Sequence, residues 1–138
     1  MLRYAAIKII GDYGTKAQVP LLLKWLKSDD FSCRNAAVRG LGRLKEKSAA
    51  ASMADLLASG SDSYQIAEAL TKMGSDAEDA VLPLLKERNI ETRRQACRIL
   101  KQIGTKKSIE PLRDLMLSTD RTLGESAGEA VRGIMARE

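Results

Sequence analysis

The sequence predicts an all-α fold, a right-handed α-solenoid or superhelix of about four and a half helix pairs, about nine helices in total. Three observations carry that expectation. One motif recurs along the whole chain at a nearly constant interval, its apolar residues fall on one helix face, and no strand-like alternation competes with them. A pair of short amphipathic helices cannot enclose a core alone, so successive pairs must stack.

The segments RYAAIKIIGDYGT from Arg3, RNAAVRGLGRLKE from Arg34 and RRQACRILKQIGT from Arg93 align without a gap. SYQIAEALTKMGS from Ser63 and GESAGEAVRGIMA from Gly124 fill the remaining slots. One domain over residues 1–138 is therefore expected, with units at about 1–30, 31–62, 63–89, 90–120 and 121–138. In the first helix of each unit the inward stripe reads Ala6, Ile10 and Tyr13, then Ala37, Leu41 and Leu44, then Ile66, Leu70 and Met73, then Ala96, Leu100 and Ile103, then Ala127, Val131 and Ile134. That i, i+4, i+7 spacing is one helical face.

A second stripe follows in each of the first four units. Val19, Leu22, Trp25 and Leu26 match Ala50, Met53, Leu56 and Leu57, and also Ile109, Leu112, Leu115 and Met116; Val81, Leu84 and Leu85 take that part in the third unit. Gly14, Gly74 and Gly104 mark the ends of first helices. Pro20, Pro83 and Pro111 are expected in the first turns of second helices, where a missing N–H costs little. The turns SDDFSCR, SGSDSYQ, RNIETRR and STDRTLG are polar, and several offer Asp or Ser as N-caps.

The stretch DDFSCRNAAVRGLGRL, followed by a proline-started or alanine-rich second helix, resembles HEAT repeats of the short phycobilisome-lyase type, and the resemblance spans the chain. It implies an outer layer of first helices and an inner ridge of second helices that holds a partner. The motif serves scaffolds, enzyme subunits, lyase factors and regulators alike. Against the family pattern the chain opens inside a first-helix signature and ends after a fifth first helix. A place in a longer solenoid or contacts at both ends is expected; the alternative is a self-capped chain, a stable monomer whose size in solution does not change with concentration.

Composition narrows the chemistry. The chain has no histidine, which excludes serine–histidine and cysteine–histidine catalysis. Cys33 and Cys97 are far apart and form no C-x-x-C pair, so they read as small core residues in slots shared with Leu2 and Leu123, and with Ile7 and Val38. Carboxylate pairs such as Asp29/Asp30 and Glu78/Asp79 are expected in turns or on exposed faces, without the company that acid–base or metal chemistry needs. No catalytic, cofactor or metal residue is therefore assigned. The N-terminus lacks signal-peptide layout and no apolar run reaches a membrane span, so a cytoplasmic, reducing location is expected, with no membrane partner.

Two surfaces remain as candidates. The outward positions of the second helices carry four lysines, Lys24, Lys27, Lys86 and Lys107, against five carboxylates, Asp55, Asp76, Asp79, Glu110 and Asp114. Such a near-neutral ridge suits a protein partner, whose identity the sequence does not give; Lys24, Lys27, Asp55, Asp79, Glu110 and Asp114 are the candidate contacts. The alternative is anion or nucleic-acid binding by Arg39, Arg43, Arg94, Arg98 and Lys101 on the outer face. The net charge of +5 permits it, but the acidic third unit breaks any continuous basic track. A further alternative is an accessory subunit of a lyase-type or modifying enzyme. Arg34, Arg3 and Arg93 are expected to bond turn carbonyls or Asp30. Trp25 is expected in the core with its N–H bonded near the rim. The GLGR run lies inside a helix, where its amides are already committed.

Overall fold

The computed structural model describes the backbone of residues 2–138 and the side chains of residues 3–138. Its described residues form helices and turns, without strands. One layer holds the first helices, α1 (Leu2–Tyr13), α3 (Phe31–Arg43), α5 (Ser63–Met73), α7 (Ile90–Ile103) and α9 (Arg121–Arg137). The other holds the second helices, α2 (Val19–Leu26), α4 (Ala50–Ala58), α6 (Glu78–Val81) and α8 (Lys106–Met116). Each first helix packs on the next, and α2, α4 and α8 pack on the first helix that follows them.

Small residues let the first-helix layer close up. A Cβ on Gly42 would stand 2.9 Å from the Cα of Ala69 in α5, and one on Gly11, at the same repeat position, 2.9 Å from the Cα of Ala36 in α3. Gly42 is therefore required by a backbone approach, which answers for half of the GLG run. Between the layers lies one continuous core, in which Ala37, Leu41, Ile66, Leu70, Ala96, Leu100, Ala127 and Ile134 are all fully buried. These are stripe positions, so periodicity located the core of the inner units.

The first unit departs from it. Ala6 and Tyr13 are exposed and Ile10 is half-buried, while Ile7 is a buried side chain of α1, against Cys33 and Ala36. The reason is coverage: among the described residues α1 has one first-helix neighbour, α3, and its buried face turns toward that helix. Met116, at the end of α8, is likewise 45% exposed rather than inward.

Two prolines also correct the sequence reading. Pro20 is the second residue of α2, as expected, after a 3-10 turn at Lys16–Gln18. Pro111, however, lies inside α8, and Pro83 lies beyond α6. A proline ring displaces the carbonyl four residues back and offers it no N–H. At Pro83 the helix responds by tightening from α to 3-10 over Leu82–Lys86; α8 continues past Pro111.

The unit junctions are fixed by polar groups. Asp30, Asn89 and Asp120 cap α3, α7 and α9 through their side chains. Asp62 precedes α5 in the left-handed region (φ 53°) and makes no cap bond. Its carboxylate instead accepts from the Arg34 Nε–H at 3.0 Å, and Arg34 Nη1 donates to the carbonyls of Ser28 and Asp29. Arg34 thus finds turn carbonyls as expected, but its acid is Asp62 and not Asp30. The arrangement recurs as a clamp from the start of one first helix to the cap of the next: Arg3 to Asp30 at 4.0 Å and Arg94 to Asp120 at 3.5 Å. In the fourth unit the work is divided, since Arg93 takes a turn carbonyl, that of Arg88, while Arg94 takes the acid. The third unit has Ser63 and Asn89 at the two ends, neutral at both.

Candidate functional site

The second helices are short and lean on the first-helix layer more than on each other, so furrows open between them. One, of about 280 Å³, lies between α2 and α4 and is lined by Leu26, Lys27, Ser52, Asp55, Leu56 and Ser59. Another, of about 480 Å³, lies between the 3-10 segment and α8 and is lined by Leu85, Lys86, Pro111, Asp114 and Leu115 together with Asp79, Leu82 and Pro83. The two are copies at one constant offset: Leu26 corresponds to Leu85, Lys27 to Lys86, Ser52 to Pro111, Asp55 to Asp114 and Leu56 to Leu115. Each has a lysine on one wall, an aspartate on the other, and leucines between. Leu56 and Leu115 are half-buried, so part of each faces the furrow.

The six ridge candidates are all exposed, but they are not equivalent. Asp79 accepts from Lys107 Nζ at 2.8 Å, and Glu110 pairs with Arg113 at 3.2 Å. The hydrogen bond and charge of Lys107 hold the Asp79 carboxyl below its ordinary value, and Asp79 in turn raises the Lys107 ammonium. Among the described residues Lys24, Lys27, Asp55 and Asp114 have no ion pair, nor does Lys86, which the candidate set omitted. Its signal was present in the sequence as the repeated Leu-Lys and Asp-Leu pairs.

On the opposite layer four of the five cationic candidates already have internal partners. Arg39 Nε donates to Asp12 at 3.0 Å, and Arg43 Nη2 donates to the Gly14 carbonyl at 2.6 Å, at the end of α1. Partial burial pushes Asp12 up, but Arg39 and Lys8 outweigh it and hold the carboxyl below its ordinary value. Arg94 pairs with Asp120 and Glu91, and Lys101 with Glu129 at 3.8 Å. Arg98 is exposed and has no ion pair among the described residues. These side chains lock neighbouring first helices together; Arg39 and Arg43 do so at the C-terminal end of α1, where the backbone carbonyls favour a cation. Arg137 does for Gly104 what Arg43 does for Gly14, and also donates to the Lys101 carbonyl.

Glu78 overturns the expectation of an exposed carboxylate pair: it is 1% exposed. It accepts from the Thr105 N–H at 2.6 Å, from the Thr105 hydroxyl at 2.9 Å and from the Ser108 hydroxyl. The carboxylate of one unit thereby caps α8 of the next. In the first unit the equivalent work is local, since Gln18 accepts from the Thr15 N–H at 2.6 Å in a capping box. Spacing along one helix could not reveal a cap supplied across units.

Cys33 and Cys97 are buried as expected, and burial pushes the Cys97 thiol up to about 11, far from thiolate reactivity. Leu2, assigned the slot of Cys33, lies outside the described side chains. Trp25 is half-buried and bridges the main core and the Ile7–Cys33–Ala36 cluster; its N–H finds no hydrogen bond among the described residues, contrary to expectation. No helix of the described residues is long and apolar enough to cross a membrane.

Stacked helix pairs with a closely packed first layer, a furrowed second layer and clamps at each junction define an α-solenoid repeat protein. The chain belongs to the HEAT-repeat family, whose model matches residues 1–70 and 63–132. Among curated proteins none matches it. Of solved structures, it is similar to the crystal structure of an engineered protein from the Northeast Structural Genomics Consortium, with a TM-score of 0.55 and 24% identity over 96% of this chain and 67% of that one. That likeness supports the fold alone. The molecule is a repeat scaffold.

Proposed function

We propose that this scaffold is a non-catalytic protein-interaction module in a reducing, cytoplasmic setting, and that it binds its partner on the ridge of second helices. The observation that carries the reading is the contrast between the layers. On the first-helix side four of the five cationic candidates are consumed by internal locks, whereas Lys27, Asp55, Lys86 and Asp114 border apolar furrows with no ion-pair partner among the described residues. A mixed-charge rim around half-buried leucines suits a protein surface better than a polyanion, which would want lysine and arginine throughout. The absence of histidine and the high Cys97 pKa support a non-catalytic role. The test is affinity capture from the native source with wild type and with Asp55→Lys/Asp114→Lys in parallel. A partner retained by wild type and lost by the variant supports the ridge; a genuine partner held equally by both overturns it.

A further inference from the structure

The furrow between α2 and α4 and the furrow in front of α8, two units apart, carry the same lysine, leucine and aspartate in the same order; the second is also lined by Asp79, whose carboxylate is paired with Lys107. Crossing the ridge from the first unit, a ligand meets Lys27, the Leu26/Leu56 floor and Asp55, then Lys86, the Leu85/Leu115 floor and Asp114. Between the two sets, the corresponding positions hold Ala58 and Pro83, which carry no charge. Lys27, Asp55, Lys86 and Asp114 are exposed and make no ion pair among the described residues. By contrast, the nearby Asp79, Lys107, Glu110 and Arg113 neutralise one another.

We infer that the ridge is a bivalent site for one extended peptide segment that carries the same short pattern twice: an acidic residue, an apolar residue and a basic residue, in that order from the first unit toward the fourth. The inference rests on the ridge reading and names the partner's chemistry. The acid of each copy meets a lysine, the apolar side chain covers a half-buried leucine, and the base meets an aspartate. Reversed polarity would set like charges against both walls of both furrows, so the direction of the segment is fixed as well. Successive first helices are in contact, at about 8–10 Å, so positions two units apart are separated by roughly 20 Å. At about 3.3 Å per extended residue that is about six residues between the two apolar anchors. Linking two weak contacts at a matched span raises the apparent affinity by about 100-fold or more over either alone.

The experiment pans phage-displayed random 20-residue peptides on the full chain and measures the selected peptides by fluorescence anisotropy. The expected consensus has two acid–apolar–base triplets with apolar residues about six apart, and halving the peptide weakens binding about 100-fold. Lys27→Glu/Asp55→Lys is expected to weaken binding at least about tenfold, with recovery when the acid and base of the first triplet alone are exchanged. Lys86→Glu/Asp114→Lys is expected to do the same for the second triplet. Thermal melts of both variants check that the fold is kept, since all four residues are exposed. A single-triplet consensus sensitive to one furrow only overturns bivalency and leaves the ridge reading standing. Peptides indifferent to all four reversals, or no selected peptide at all, overturn both.

Discussion

Arg3 and Arg34 occupy the same repeat position in very different surroundings. The Arg3–Asp30 pair is 4.0 Å long with side chains 80% and 43% exposed, whereas Arg34 and Asp62 are 20% and 8% exposed at 3.0 Å. An exposed pair is worth about 0–1 kcal/mol, while breaking a largely buried one by removing a single partner costs about 3 kcal/mol. Arg34 also satisfies two turn carbonyls and stacks over the Phe31 ring at 5.9 Å. Chemical denaturation is expected to show Arg34→Ala losing about 3 kcal/mol and Arg3→Ala under about 1 kcal/mol. Equal losses would remove the burial argument. Sequence spacing identified Arg34 as structural, but not which acid it would meet. That choice depends on Gly60 and Asp62 turning with positive φ, which delays the start of α5 and brings Asp62 within reach.

At the scale of elements, α8 starts with a cap it does not own. Thr105 precedes α8 without a side-chain cap bond of its own, and Glu78 of α6 fills the need from the preceding unit. Glu78→Ala would leave the Thr105 amide and two hydroxyls without their acceptor, at a cost of about 2–3 kcal/mol. The loss should be local. Hydrogen exchange is expected to speed up in the first turn of α8 while α3 keeps its protection, and uniform acceleration would argue against a dedicated cap. Periodic apolar stripes made the helix pairs and the inner core legible because every inner unit obeys the same packing. The cap, the interior Pro111 and the pairing of Arg39 with Asp12 were not legible, since each depends on which turn or helix lies next door.

Across the whole molecule the charge state should be quiet near neutrality. With no histidine, no side chain of ordinary pKa titrates between about pH 5 and 8. Glu46, held down by Ser48 and Lys16, Asp79, held down by Lys107, and Asp120, held down by the Leu123 amide, Thr122 and Arg94, lie below their ordinary values in the fold. A carboxylate depressed in the folded state stabilises it above the unfolded pKa, and that stability disappears as pH falls through the folded value. The melting temperature is therefore expected to stay level from about pH 8 to 5 and to fall below about pH 4. Asp120→Asn should shrink the acid-induced drop; an acid profile unchanged by that substitution would show that Asp120 is not among the responsible groups.

The junction clamps also bear on how such an array could be rearranged. Arg34 and Asp62 belong to the same stretch of chain, as do Arg94 and Asp120, so each clamp travels with its own unit through any duplication, deletion or shuffle. The contacts from Arg39 to Asp12, from Arg43 to the Gly14 carbonyl and from Glu78 to Thr105 bind one particular unit to one particular predecessor or successor. A permuted chain would keep every clamp and forfeit those cross-unit bonds. The order of the units is thus written in a handful of neighbour-specific side chains, separate from the pattern that makes each unit fold.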